Sequence, residues 1–347
     1  MYRSYYLLSE LRCFSTVSTV VKQQQYLAKR LNYVWSVLEL ARKEKTKSNL
    51  LAKCRGWIQA GATLLTNIHL PNFLKGEIYK GKGKTVCVPG LNCYSCPAAS
   101  GACPIGSFQA IVGSSKFKFS YYITGFLILL GVLFGRFICG FLCPFGWFQE
   151  LLHKIPTKKF STKKLKPLTY VKYFVLLFFV VLLPILVVND VGMGDPFFCK
   201  YLCPQGVLEG AIPLSAVNAG IRSALGVLFS WKLTILLIVI ALSVLFYRPF
   251  CKWICPLGAL YALLNKVSLF QMKVDKNKCI SCGKCAYACK MDVDVTKAPN
   301  HTECIRCGMC VKACPTNAIS YRYGFGDGKQ NCKLNKEMEN KKDEKTN

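Results

Sequence analysis

Two similar cysteine motifs lie close together near the C-terminal end of the chain. Residues 279–289 read CISCGKCAYAC and residues 304–315 read CIRCGMCVKACP, so the pattern C-x2-C-x2-C-x3-C occurs twice. Where such a pattern binds two [4Fe-4S] clusters, three closely spaced cysteines hold one cluster and the fourth holds the other. The spacing therefore predicts two clusters, the first held by Cys279, Cys282, Cys285 and Cys314 and the second by Cys304, Cys307, Cys310 and Cys289.

Zinc is the competing metal for these motifs, because C-x2-C pairs also bind zinc. A structural zinc ion takes four ligands, which leaves the third closely spaced cysteine of each motif without a role. Lys290 follows Cys289 in the first motif, where the second motif has a proline, and this change alters a local turn without removing a ligand. Iron–sulfur chemistry is the favoured interpretation.

A second cysteine pattern recurs through the middle of the chain. CGFLCPFG begins at Cys139, CKYLCPQG at Cys199 and CKWICPLG at Cys251, while CPIG at Cys103 repeats the second half. Each proline suits the first position of a new helix, which puts the preceding cysteine at the N-cap. Unpaired N–H groups and the helix dipole stabilise a thiolate there. The pattern predicts cysteine ligands at helix N-termini.

The copies of this second pattern fall into two halves. Cys103 and Cys143 are followed roughly one hundred residues later by Cys203 and Cys255, which is typical of two repeated hairpins in parallel orientation. One pair from each half would form an inner site of Cys139, Cys143, Cys251 and Cys255. The other face would collect an outer set of Cys87, Cys93, Cys96, Cys103, Cys199 and Cys203. Symmetry favours, as ligands of the outer site, Cys96, Cys103, Cys199 and Cys203.

Two simpler interpretations compete for these pairs. Cysteines four residues apart on a helix can be buried apolar side chains, and on an exported face they can form disulfides. Recurrence of C-P-x-G in four copies favours metal for the inner site, and metal is also favoured for the outer set, where exported disulfides are the competing interpretation. Cys13, Cys54 and Cys332 lie outside every motif and are given no ligand role.

Apolar segments indicate where these cysteines are placed. The chain has 347 residues, of which 52% are hydrophobic, and this suits a membrane bundle with one small soluble domain. Four charge-free runs approach the length of a membrane span, at Gly56–Leu74, Phe119–Gly135, Tyr173–Asn189 and Leu233–Tyr247. The first run is the weakest, because it contains Gln59, Asn67, His69 and Pro71.

Basic residues orient these spans. Lysines crowd the loop within residues 144–170, which the positive-inside rule places in the cytoplasm together with the N-terminus and the region after residue 269. The loop after the first span is also basic and violates the rule in this topology. No cleavable signal peptide is recognised at the N-terminus.

The predicted fold is mainly α, with a four-helix transmembrane bundle of two repeated hairpins and a C-terminal α+β domain that holds two [4Fe-4S] clusters. We expect a basic N-terminal extension at 1–53, a transmembrane domain with cysteine-containing loops at 54–268, the two-cluster domain at 269–322 and a charged disordered tail at 323–347. The 46 Lys and Arg residues against 17 Asp and Glu favour an anionic membrane surface as partner, and no basic-aromatic module indicates nucleic acid.

Other residues suggest little chemistry. Three histidines occur, and the absence of C-x-x-C-H makes attached haem unfavourable. His153 could serve a quinone near the inner surface, but a solvated helix histidine is the favoured reading. No Walker A motif, G-x-G-x-x-G or catalytic triad is recognised, so an electron-transfer subunit is expected in preference to a stand-alone enzyme.

With CGFLCPFG, CKWICPLG and the tandem motif, residues 54–320 resemble the polytopic membrane polyferredoxins of the NapH and NosR type. This resemblance implies C-x3-C-P pairs at the cytoplasmic ends of spans, a two-[4Fe-4S] ferredoxin module, and electron passage between quinol or cytoplasmic donors and partners at or beyond the membrane. It supports the inner-site cysteines and the eight ferredoxin cysteines. Three features depart from that family: the third pair, Cys199 and Cys203, the segment CVPGLNCYSCP, and the lack of a large flavin domain.

Together these features predict a multi-pass cell-membrane protein that relays electrons. Electrons would enter the cytoplasmic module and pass to one or two further clusters in the membrane domain, with an inner and an outer site at opposite faces of a ~30 Å hydrocarbon core. The expected partners are redox proteins, with a quinone as a further candidate. The alternatives are a redox factor for assembly or regulation of a metalloenzyme, and a structural protein with zinc-stapled loops.

Overall fold

A computed structural model describes residues 50–114, 121–190 and 193–324. Most of the N-terminal extension and almost all of the charged tail lie outside these described residues, as does the start of the second expected span. Residues from Ala52 onward form one compact unit.

The described chain is mainly helical, as predicted, and ends in a small α+β module. In chain order the helices are α1 (50–66), α2 (Asn72–Lys75), α3 (Pro104–Gly113), α4 (Tyr121–Phe134), α5 (Phe137–Phe141), α6 (Pro144–Leu152), α7 (Leu165–Leu186), α8 (Phe198–Leu202), α9 (Val207–Val217), α10 (Ala219–Ser223), α11 (Val227–Leu245), α12 (Pro249–Trp253), α13 (Pro256–Leu264), α14 (Lys284–Tyr287) and α15 (Met309–Ala313).

Prolines begin new helices where the C-P-x-G copies predicted them. Cys103, Cys143 and Cys255 are the N-caps of α3, α6 and α13, each with proline at the first helical position. In the copy at Cys203, the chain enters helical structure at residue 205, just before α9. The short helices α5, α8 and α12 carry the first cysteine of each C-x3-C pair, so each pair spans a break between two helices.

Two described helices are long and apolar enough to cross a membrane, α7 and α11. They coincide with the third and fourth expected spans. Helix α4, in the second expected span, has 14 residues within the described part of the chain, fewer than a bilayer crossing requires. The four-span bundle is therefore matched at two of its helices by length and composition.

The C-terminal module repeats its backbone conformation with its cysteine motif. Strands β1 (Phe270–Val274) and β2 (Ile319–Tyr323) pair antiparallel, from Phe270 opposite Tyr323 to Val274 opposite Ile319. Gly283 and Gly308 have φ of 71° and 77° and immediately precede α14 and α15. Glycine adopts this left-handed conformation without a Cβ penalty. The duplicated conformation gives both motifs the same local geometry.

Buried ion pairs and hydrogen bonds attach this module to the helical part. Arg136 Nη1 lies 2.7 Å from Glu303 Oε2, and Lys172 pairs with the same carboxylate. Arg306 donates from Nη1 to the carbonyl of Phe134 at 2.8 Å and from Nη2 to the carbonyl of Asn265 at 2.8 Å. Because these cations are buried, loss of one partner would leave an uncompensated charge.

Candidate functional site

The first group of module thiols surrounds one cavity. Cys279, Cys282, Cys285 and Cys314 line a space of about 550 Å³ beside α14. Cys282 is exposed, whereas Cys285 is buried. The Ala318 N–H donates to the Cys314 sulfur at 3.3 Å. This is the grouping predicted from the spacing, in which the last cysteine of the second motif joins the first three.

The second group forms by the same exchange. Cys289 interacts electrostatically with Cys307, and Cys310 interacts with Cys307, Cys304 and Cys289. The Val293 N–H donates to the Cys289 sulfur at 3.4 Å. Each motif therefore contributes three thiols to one group and one thiol to the other.

The inner site brings one C-x3-C pair from each half together. The Cys255 thiol interacts electrostatically with Cys251, Cys139 and Cys143, and all four residues are buried. Burial and the neighbouring Cys251 and Cys139 raise the pKa of the Cys143 thiol to about 12. Thiolates in such a dry site need positive charge nearby, which a metal cluster and adjacent cations can supply.

Two fully buried arginines flank this inner site. Arg248 donates from Nη1 to the carbonyl of Cys139, and Arg136 donates from Nη2 to the carbonyl of Cys251 at 3.4 Å. Burial alone would lower the pKa of Arg136, but Glu303 and Cys139 raise it above its usual value. Both guanidinium groups are thus charged and hold backbone atoms of candidate ligands in place. Single arginines beside apolar runs form no motif, so the sequence did not reveal them.

The outer site contains Cys93 in the place expected for Cys96. A cavity of about 640 Å³ is lined by Cys93, Cys103, Cys199 and Cys203. Cys199 interacts electrostatically with Cys203, Cys103 and Cys93. A cluster with one thiolate at each of four irons suits this set.

Cys96 and Cys87 lie outside that cavity. Cys96 packs in a small core with Ala98 and Ala99, and its sulfur lies 3.6 Å from Asn67 Oδ1. Cys87 forms an isolated β-bridge with Ala102. Because Ala99 stands four residues before Cys103, the first half lacks the C-x3-C partner and the preceding loop supplies the fourth thiol. The sequence shows that this cysteine is absent from the first half. It does not show which of the loop cysteines, Cys87, Cys93 or Cys96, takes its place.

Charged side chains of both signs border the outer site. Glu209 Oε2 accepts from the Cys93 N–H at 3.0 Å, and Lys232 Nζ donates to the Cys199 carbonyl at 3.1 Å. Burial raises the pKa of Glu209 to about 7, while the Cys93 N–H opposes that rise. One acidic and one basic side chain thus border the outer site, whereas two arginines border the inner site.

The inner and outer sites are neighbours, which differs from the expectation that a hydrocarbon core separates them. A Cβ atom at Gly90 would lie 2.8 Å from the Cα of Cys143. The Leu91 N–H stabilises the thiolate of Cys143, and the N–H of the next residue, Asn92, stabilises that of Cys103. The loop before α3 folds inward between the sites, where hydropathy placed it at the opposite face.

Tyr261 also lies between the two sites. Its hydroxyl donates to the carbonyl of Pro89 at 3.0 Å, and the side chain interacts electrostatically with Cys139, Cys143 and Cys103. The tyrosine therefore anchors the intervening loop from the inner side.

The module contacts the inner site through backbone. Ile305, next to Cys304, packs in the same core as Cys139 and Cys143, and its carbonyl oxygen lies against Gly140. The four thiol groups are thus arranged in series.

Among the described residues, no three His, Cys, Asp or Glu side chains form a site for a single metal ion. His153, the candidate quinone residue, packs edge-on against Tyr247 with 5.5 Å between ring centroids.

Comparisons with known proteins identify iron–sulfur sequence families in both parts of the chain. One family described as a 4Fe-4S binding domain matches residues 101–122, 119–163, 172–212 and 229–277. A second with the same description matches residues 272–293 and 298–320. The first covers the C-P-x-G copies and the second covers the tandem motif.

Curated relatives each match about half of this chain. An uncharacterized protein of Methanocaldococcus jannaschii is 30% identical over 209 residues, covering 57% of this chain and 77% of the relative. Putative electron transport protein YccM of Escherichia coli is 28% identical over 190 residues, covering 49% of this chain and 45% of YccM. Regulatory protein NosR of Stutzerimonas stutzeri is 25% identical over 168 residues, covering 46% of this chain and 21% of NosR. No solved structure matches the chain.

Proposed function

Because this chain belongs to the polyferredoxin-type 4Fe-4S proteins, we propose that it relays electrons through four iron–sulfur sites arranged in series. The order is the exposed module site, the buried module site, the inner site and the outer site. Each [4Fe-4S] cluster, when bound, would accept and release one electron at a time. Redox partner proteins follow from this ferredoxin-like role.

The observation that carries this proposal is the series of backbone contacts between the thiol groups. Cys304 is followed by Ile305, whose carbonyl lies against Gly140, the neighbour of Cys139. On the other side of the inner site, Leu91 contacts Cys143 and the adjoining Asn92 contacts Cys103. One or two residues therefore separate the buried module group from the inner site, and the inner site from the outer site.

Burial supports entry at the module. Cys282 is exposed, whereas all four cysteines of the inner site are buried. A soluble donor protein can approach the first site, while water is excluded from the inner one. We propose the cytoplasm as the side of this donor, because the lysine-rich segment within residues 144–170 favours that side.

A membrane location is proposed from the two long apolar helices. Leu177 and Leu186 of α7 are each 66% exposed, and Leu237 of α11 is 57% exposed. Apolar side chains that face outward along helices of membrane-spanning length suit contact with lipid. Short helices that pack against α7 or α11, among them α3, α6 and α13, would then hold the inner and outer sites within protein, where irregular backbone at membrane depth is tolerated.

The relay can be tested with the full chain purified anaerobically in detergent. A low-potential donor should reduce the module first, and the double variant Cys143→Ser/Cys255→Ser should retain this phase but lose electron delivery to an acceptor added at the outer site. The matched control is Cys96→Ser, a buried cysteine outside the relay. Equal delivery by the wild type and the double variant would refute the proposed order, and reduction only by a quinol would reassign the donor.

A regulatory role is the second candidate, because NosR is named a regulatory protein and shares 168 aligned residues with this chain. In that case the clusters would respond to redox state without sustained throughput. Steady-state electron flux to an acceptor separates the two roles: multiple turnovers per chain support the relay, and a single equivalent per cluster supports regulation.

A further inference from the structure

Gln149 connects the two halves of the inner site. Its Nε2 donates to the sulfur of Cys251 at 3.1 Å, and its Oε1 accepts from the N–H of Phe250 at 3.2 Å. Gln149 belongs to α6 and is fully buried, whereas Cys251 belongs to α12. One amide thus touches a candidate ligand sulfur and the backbone just before that ligand.

Gln109 makes the same contacts at the outer site. Its Nε2 donates to the sulfur of Cys199 at 3.2 Å, and its Oε1 accepts from the N–H of Phe198 at 3.1 Å. It is also fully buried. Each glutamine stands six residues after the N-cap cysteine of its helix, Cys103 for Gln109 and Cys143 for Gln149.

The orientation of both amides follows from their partners. A backbone N–H can only donate, so Oε1 must face Phe198 or Phe250, and Nε2 must then face sulfur. A buried amide is costly unless its polar atoms are bonded. In both glutamines Nε2 donates to the cysteine sulfur and also to the carbonyl four residues earlier, at 3.5 Å for Ile105 and 3.3 Å for Phe145.

The second half of the repeat uses the corresponding position differently. Six residues after Cys203 stands Glu209, which accepts from the Cys93 N–H, and six residues after Cys255 stands Tyr261, which donates to the Pro89 carbonyl. These two side chains anchor the loop between the sites. Direct hydrogen bonding to sulfur from this position is made by the glutamines.

We infer that Gln109 and Gln149 are positioning residues that raise the reduction potentials of the outer and inner sites by donating a hydrogen bond to one ligand sulfur in each. Reduction adds negative charge, which a donor to sulfur stabilises. The inference rests on the proposed function, since it requires that both sites bind clusters.

Gln149→Met is the deciding variant. Methionine is about as long as glutamine and uncharged, so it removes the donor to the Cys251 sulfur without placing a new negative charge beside the cluster. We expect unchanged iron content and, at a fixed potential, about a tenfold smaller ratio of reduced to oxidised inner cluster, equal to a shift of about 59 mV towards negative potential. Gln149→Leu should shift it in the same direction if it folds.

The outer site provides the matched control. Gln109→Met should shift the midpoint of the outer cluster and leave that of the inner cluster unchanged, and Gln149→Met should do the reverse, as measured by EPR-monitored redox titration. Unchanged midpoints at full iron content would overturn the inference alone. Wild-type protein with about eight irons per chain would refute the membrane-domain clusters, and with them this inference.

Discussion

The carbonyl oxygen of Ile305 lies so tightly against Gly140 that no Cβ atom fits at residue 140 without displacement. The contact joins the residue after Cys304 to the residue after Cys139. It is the point at which the ferredoxin module meets the inner site, and a single methyl group is enough to disturb it.

Gly140→Ala should slow electron passage from the module to the inner site. The added methyl group must push Ile305 away, at a cost of about 1–3 kcal/mol in unfolding free energy. Freeze-quench EPR after rapid reduction of the module measures the delay. The control is Gly125→Ala, because a Cβ atom at Gly125 meets nothing within 4 Å. Equal rates of electron passage in Gly140→Ala and Gly125→Ala would show that the contact between Ile305 and Gly140 does not affect electron passage.

Cys93→Ser should remove the cluster of the outer site, and Cys96→Ser should retain it. Cys93 lines the cavity with Cys103, Cys199 and Cys203, whereas Cys96 lies in a separate small core. Cys93→Ser is expected to lose about four irons per chain and Cys96→Ser none. Loss of iron from Cys96→Ser but not from Cys93→Ser would show that Cys96 is the ligand, as symmetry favours.

Glu150→Gln should destabilise the helical part. Glu150 pairs with Arg55 and with Arg248, whose Nε lies 2.8 Å from Oε1, and the Gln variant leaves these cations uncompensated. We expect a loss of about 3–5 kcal/mol in unfolding free energy at neutral pH. The exposed Glu77→Gln substitution is the control, and thermal unfolding in detergent measures both. Similar melting temperatures of the two variants would contradict the role of Glu150.

The same carboxylate predicts a pH dependence. Burial alone would raise the pKa of Glu150, but Arg248 and Arg55 lower it below its usual value. A depressed folded-state pKa stabilises the protein above the unfolded-state pKa of about 4.3, and this contribution is lost as pH falls through the folded-state value. The difference in melting temperature between wild type and Glu150→Gln should therefore shrink on acidification. A constant difference would exclude titration of Glu150.

Motif spacing was sufficient to predict much of this architecture. The C-x2-C-x2-C-x3-C repeats predicted the exchange of Cys289 and Cys314 between the module groups, because ligand spacing along a chain directly restricts which sulfurs reach one cluster. The prolines after Cys103, Cys143 and Cys255 predicted helix starts, since a proline suits the first helical position.

Loop positions could not be predicted in the same way. Hydropathy assigns segments to faces of a membrane but does not show that a loop folds inward, so the adjacency of Leu91 and Cys143 was missed. Choice of Cys93 over Cys96 depends on where that loop turns. Gln109 and Gln149 form no motif on their own, and their equivalence becomes visible only when both are seen to contact sulfur.

The iron and acid-labile sulfide content of the anaerobically purified full chain tests the central claim most directly. Four clusters predict about sixteen irons and sixteen sulfides per chain, falling to about twelve of each in Cys143→Ser/Cys255→Ser. A wild-type content of about eight, unchanged in that double variant, would restrict the clusters to the C-terminal module and contradict the four-site relay.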